Sequence, residues 1–590
     1  MSVALSESLL LASVAWPLVI VGLLMLPGLR SVGLVLTPWA ALPALALSAF
    51  PNSTLKLSDV MLGGGLALDA TGRVFLLLTS ILWLASGVLA RARLRVADSN
   101  ALAVMLLLAM AASFGLVLAG DALLFFAAAT VAGYGLYGAL AYEADAQTRK
   151  AGRVLVVLMV FSDLLVFEVL LILGQAAGTV DFVSLRHAFV NIENKNMVLG
   201  LLIVGFGTKL GMLGVHFWTP MVFARASAEL RPAVVAFMFG AGVLGSWRLI
   251  PLGQIDAKEV AAILQWLAWV TLAYAGFAGM SQTCRRAIQG YAAIALSSVW
   301  LVVLSACLQQ PKLWQILAHP SAAVLIQSGT SLAAILLIDK INEGASFRTL
   351  SSLVSVLAWL AVLLLAIAPL GLVWVMDGQV PAIAILSAMA VIALLAGNSL
   401  LHGDPDSPAE PVERYVPSAA VPASHFIKAP FIALWVVAAL IVVATLAAGY
   451  QLFHVTIGEA ATGLVIVVVA ITAAVLNARW RLLRLPVLAP GDVLVPITHG
   501  LVLARDSAGR LLARCEERWT DITQALDRRI RPLMMRSDIA GMLESLFLRW
   551  SLALSLLLLL GLLVAWLAAV DLHLIMILHL QWILTHSKFS

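Results

Sequence analysis

Runs of about twenty apolar residues follow one another along most of this chain, and they restrict what it can fold into. A run of 18 or more nearly uncharged residues matches the roughly 30 Å hydrocarbon core of a bilayer as one α-helix. A transmembrane barrel would show alternating segments of about 10 residues instead. Hydropathy places the runs near 8–27, 32–50, 74–90, 101–119, 122–142, 154–174, 197–218, 232–251, 259–280, 288–308, 320–338, 350–376, 379–401, 430–449, 455–477 and 550–570. Of 590 residues, 62% are hydrophobic and 11% charged, far more apolar side chains than one water-soluble core uses. The sequence therefore predicts an all-α polytopic membrane protein of about 14–16 transmembrane helices. The first run has no obvious small-residue cleavage site after it and reads as a span, not a removed signal.

Basic residues set the orientation. Arg91, Arg93 and Arg95; Arg149 and Lys150; Arg225 and Arg231; Arg285 and Arg286; and Lys340 and Arg348 all follow odd-numbered spans. The positive-inside rule puts those loops in the cytoplasm and the N-terminus outside, in a cell inner (plasma) membrane. The net charge of +5 thus belongs to membrane orientation, and the bilayer, not nucleic acid, is the expected partner. Segment 402–429, rich in proline and serine, reads as a cytoplasmic loop. Segment 478–549 is dense in arginine, and within it 505–548 has apolar residues at near-helical spacing, as in an amphipathic helix lying along the membrane face.

Little else in the sequence suggests chemistry outside the membrane. Cys284, Cys307 and Cys515 lie far apart without CxxC or Cys/His spacing, so neither an iron–sulfur nor a zinc site is expected. His573, His579 and His586 are spaced by six and seven residues, which reads as interfacial and not as a metal pair on one helical turn. No Walker loop, dinucleotide fingerprint or GxSxG is present. The expectation is a chain with no catalytic site and no cofactor of its own, whose electrons, if it serves an oxidoreductase, are carried by another subunit.

Inside the membrane the chemistry is concentrated. The run 197–220, MVLGLLIVGFGTKLGMLGVHFWTP, holds Lys209 near its middle, where an ammonium costs about 2.5–3.5 kcal/mol even on insertion scales. Gly205, Gly207, Gly211 and Gly214 surround it and Pro220 follows, so the helix is weak where the charge lies, and interrupted helices at the midplane point to ion sites. A lysine snorkelling from a helix end is the plainer reading, but the central position argues against it. Asp163 and Glu168 lie in the span 154–174, and His216 ends the lysine run. Five residues apart means about 7.5 Å of rise and roughly 140° of rotation, so the two carboxylates cannot share one tight site. Asp163 and Lys209 both fall near the midplane of antiparallel spans and are expected to pair. That pair either handles protons or merely fixes helix packing.

Several stretches resemble one family. GGGLALDATGRVFLLLTSILWLASGVLA resembles its third-span entry, GDALLFFAAATVAGYGLY its fifth span and KAGRVLVVLMVFSDLLVF its sixth. GFGTKLGMLGVHFWTP continues without gaps into RPAVVAFMFGAGVLGSWRL, with Lys209, His216, Trp218, Pro220, Gly242 and Arg248 at the family's positions. SQTCRRAIQGYAAI matches a further motif through Gln282, Arg286 and Tyr291, and PGDVLVP and ESLFLRWSLALSLLLLL resemble C-terminal features. The chain resembles the antiporter-like proton-conducting subunits of respiratory complex I, membrane-bound hydrogenases and multisubunit sodium/proton antiporters, over roughly residues 60–400.

The resemblance implies two inverted five-helix repeats, each with a broken helix, and a line of charged residues relaying protons. The implied organisation is N-terminal helices at 1–100, a first repeat at 101–251, a second at 259–401, the loop 402–429, further helices at 430–477, the basic segment 478–549 and a last helix with its tail at 550–590. The family's fifth-span glutamate falls at Thr130, its eighth-span lysine at Gly240, and the second repeat's expected basic residue in the uncharged QSGTSLAAILLI. Pro369 and Gly371 mark the expected second break, without the charged residue that usually follows. Lys209, Asp163, Glu168 and His216 are the ion-translocation candidates, with Glu168 the one added carboxylate in place of the lost glutamate. Three functions stay open: a subunit moving protons, or sodium, coupled to other subunits of a membrane complex; a non-conducting scaffold anchoring a partner; or the membrane half of a proton-gradient-driven inorganic carbon accumulation system with a zinc-dependent partner.

Overall fold

The computed structural model describes residues 2–401 apart from 57–63, 92, 96–99, 143–145, 283, 345–359, 364, 367–368, 370–371 and 373–379. The expected loop 402–429, everything C-terminal to it and most of the expected span 350–376, including Gly371 of its expected break, lie outside the described residues. Among the described residues nine helical stretches are long and apolar enough to cross a membrane.

The chain starts with α1 (Ser2–Met25). The expected second span is two short helices, α2 (Arg30–Leu36) and α3 (Leu42–Leu47), joined by a 3-10 turn at Thr37–Trp39. Prolines in the first turn, where no intrahelical N–H bond is lost, start the turn and α3. Two antiparallel strands follow, β1 (Ser53–Lys56) with β2 (Gly65–Leu68), so the GLAL ahead of the third span is strand.

Asp69 then caps α4 (Ala70–Ala90), its carboxylate accepting from the Gly72 N–H. Asp121 caps α6 (Ala122–Ala141), which packs on α5 (Asn100–Val117). Helix α7 (Ala146–Ala177) is 32 residues long and begins well before the apolar run with Thr148, Arg149 and Lys150. Asp181 caps the short α8 (Phe182–Asn191). These aspartates occupy orphan donors that a helix start always leaves.

The lysine run is two helices, α9 (Lys195–Leu210) and α10 (Trp218–Arg225). The next expected span is α11 (Leu230–Phe237), a π-helical turn over Met238–Leu244 and α12 (Gly245–Leu249). Then come α13 (Lys258–Met280), α14 (Arg285–Gln309), α15 (Leu313–Gly344) and α16 (Val380–Leu401). Helix α14 is the hub: its whole apolar window is buried, with α10, α13 and α16 against it. Apolarity on all sides is what a helix without a lipid face requires.

Two ion pairs tie the ends of the described bundle. Arg93 Nη1 meets Glu229 Oε1 at 2.8 Å, joining two loops expected on the same side. Arg248 Nη2 meets Asp69 Oδ1 at 3.2 Å, while its Nη1 donates to the Ala119 carbonyl at 2.8 Å, joining three chain segments expected on the other.

Candidate ion-translocation site

Helix α9 ends one residue after Lys209. Gly211 has φ +74°, a left-handed conformation that costs other L-residues about 1–2 kcal/mol, and a Cβ there would also lie 2.8 Å from Thr219 Oγ1. The chain then crosses to α10 without regular helix. The carbonyls freed by the break find donors: Met212 N–H bonds Gly207 O at 2.8 Å and the Trp218 indole N–H bonds Thr208 O at 2.8 Å. Lys209 therefore sits in the last turn of a half-helix, whose negative dipole end favours a cation.

The carboxylate comes from α7. Ser162 Oγ donates to the Gly205 carbonyl at 2.7 Å, and a Cβ on Gly205 would come within 2.9 Å of Val166 Cγ2, so only glycine permits this approach of the two helices. That crossing sets Asp163 beside Lys209. Lys209 Nζ donates to Asp163 Oδ1 at 2.6 Å, with the side chains 2% and 12% exposed. The second oxygen, Oδ2, accepts from Thr130 Oγ1 of α6 at 3.1 Å. Phe237, just before the π-helical turn, places its ring 5.5 Å from Nζ, within cation–π range. Thr130, aligned with the family's lost glutamate, thus contacts the carboxylate of α7; neither it nor Phe237 carries a charge that would have marked it in the sequence.

The other two candidates stand apart from the pair. Glu168 lies on the exposed side of α7 while Asp163 is buried, as the 140° between them demands. It does not take the place of the missing fifth-span glutamate beside Lys209. His216 lies beyond the break, 1% exposed, with its ring 4.6 Å from that of Tyr274. Gly240 occupies the π-helical turn, where a Cβ would lie 3.1 Å from Leu116 Cδ2, so tight packing stands where the resemblance implied a lysine. In the second half, Gln327, Ser328 and Ser331 of α15 are buried, and Ser321 and Ser328 line a small cavity with Phe239, Trp300 and Leu372. Hydroxyls and an amide are found there in place of the expected basic residue. Among the described residues no group of His, Cys, Asp and Glu is arranged to hold a metal.

The fold and the buried pair define a polytopic helical membrane protein with a charged site at a broken helix. Residues 119–401 match the model of the NADH:quinone oxidoreductase/Mrp antiporter transmembrane family. Among solved structures it is similar to a chain of the membrane-bound sulfane sulfur reductase, an archaeal respiratory membrane complex, with a TM-score of 0.54 at 16% identity, covering 80% of this chain and 99% of that one. It is also similar to a chain of the Mrp complex from Dietzia sp. DQ12-45-1b, with a TM-score of 0.61 at 15% identity over 86% of this chain and 60% of that one.

Proposed function

We propose that the chain moves protons as one subunit of a membrane complex, and that Lys209 and Asp163 are the groups between which the proton-handling step takes place. The observation that carries this reading is the ion pair of Lys209 and Asp163, buried at the end of a broken helix. An ammonium held by one carboxylate oxygen, while a hydroxyl holds the other, has a partner that can be withdrawn without being lost. In a desolvated site an amine that loses its counter-ion favours its neutral form, so a small movement of α7 against α9 would be coupled to proton release and recapture. The likeness of the chain to subunits of multisubunit complexes supports a coupled partner.

Proton flux into vesicles tests this with four variants: Asp163→Asn, Lys209→Met, Lys209→Arg and the double neutral Asp163→Asn/Lys209→Met. All four should lose coupled flux, the arginine variant because a guanidinium does not release its proton. Normal flux in the double neutral protein would sink the proposal.

The scaffold reading rests on a different observation, the hydroxyls and amide of α15 where a basic residue was expected. A relay needs a titratable group or water at each step, and a subunit with half a relay could still anchor partners. Under that reading Lys209→Arg is tolerated and assembly survives the double neutral change.

A further inference from the structure

We propose that the outward face of α7 is a docking surface for a transmembrane helix of another subunit, and that this helix carries a lysine or arginine at the depth of Glu168. The inference rests on the chain's being a complex subunit and adds where a neighbour sits and what it must carry. Val157, Leu164 and Leu171 are 65%, 63% and 53% exposed, and Phe161 and Phe167 flank them. The spacing of three and four residues puts them on one helix face. Glu168 is exposed in the middle of that face, one turn from both Leu164 and Leu171. A carboxylate facing hydrocarbon costs about as much as the ammonium of Lys209 would alone. The exposed face of α13 is likewise apolar at Ile263, Trp266, Val270 and Phe277 and carries no charge among them.

Among the described residues the cations buried in the bundle have other partners. Lys209 is taken by Asp163, and Arg248 by Asp69 and the Val117 and Ala119 carbonyls. The apolar runs 350–376, 379–401, 430–449, 455–477 and 550–570 contain no lysine or arginine. Along α7 itself the cation nearest in sequence, Arg153, lies 15 residues before Glu168, about 22 Å back along the helix axis. A complementary charge at that depth therefore comes from another chain, as intramembrane carboxylates call for.

The test uses membranes in which the chain is expressed with its native neighbours. Glu168→Lys should lower the fraction of the chain in the complex on native gels at least about tenfold, as loss of a desolvated charge pair across an interface does. Glu168→Gln should have a smaller effect and Trp266→Ala none. A photoreactive residue at position 164 should cross-link to a transmembrane peptide containing lysine or arginine, and changing that residue to glutamate should restore assembly of the Glu168→Lys protein. This rescue separates lost docking from misfolding. Wild-type assembly of Glu168→Lys, cross-links to lipid alone, or a cross-linked helix without a basic residue would each overturn the proposal. A wild-type chain that migrates alone would overturn the subunit reading itself, and the docking surface with it.

Discussion

Lys209 is stable in the membrane domain because three helices meet at its ammonium: α9 carries it, α7 brings Asp163, and α6 brings Thr130 to hold the carboxylate. Removing one member of such a pair leaves an uncompensated buried charge and costs about 3–5 kcal/mol. Asp163→Asn and Lys209→Met should each lower the thermal unfolding temperature of the purified protein, and the double change should recover most of the loss. A double variant as unstable as the sum of the singles would show that the two residues do not act as a pair. Thr130→Val should cost about 1.5–3 kcal/mol, the usual net worth of a hydrogen bond to a charged group, and should slow flux without abolishing it.

At the scale of the element, the break in the lysine run decides where the charge sits. Gly211→Ala places a Cβ at φ +74° and against Thr219, and should destabilise the protein by at least about 1–2 kcal/mol, seen as a lower unfolding temperature; an unchanged value would mean that the break rearranges freely. The cap of α8 gives a pH-dependent test. Hydrogen bonds from the Ser184 backbone and side chain hold the Asp181 carboxyl below its usual value of 3.8. A lowered folded-state value means that this stabilisation is complete above the unfolded value and fades as pH falls through the folded one. Asp181→Ala should cost about 1 kcal/mol near neutral pH, and the gap to wild type should close in strong acid. A gap that stays constant down to about pH 2 would show that the carboxylate is not what caps the helix.

For the whole molecule, the two terminal ion pairs gather the described loops into two ends, and the positive-inside rule predicts which end faces the cytoplasm. Lys150 is exposed at one end and Lys258, 74% exposed, at the other. Lys150→Cys should react with an impermeant thiol reagent only from the cytoplasmic side, and Lys258→Cys only from outside. The reverse pattern would invert the topology.

The sequence by itself determined the class of fold, because each apolar run long enough to span a bilayer must satisfy its own backbone hydrogen bonds as a helix. It also brought Lys209 and Asp163 to one depth, since the rise per residue along a helix is fixed. What it could not supply was which side of each helix is buried. Lipid and protein interior are both apolar, so a span such as α7 shows no change of polarity between the side that carries Asp163 to Lys209 and the side that leaves Glu168 exposed. The contacts made by uncharged groups were equally hidden: Thr130 on the second carboxylate oxygen, Trp218 on the freed carbonyl, Gly205 at the helix crossing. Each of these depends on a residue of another helix or across a break in the chain, and only the packed tertiary structure brings them together.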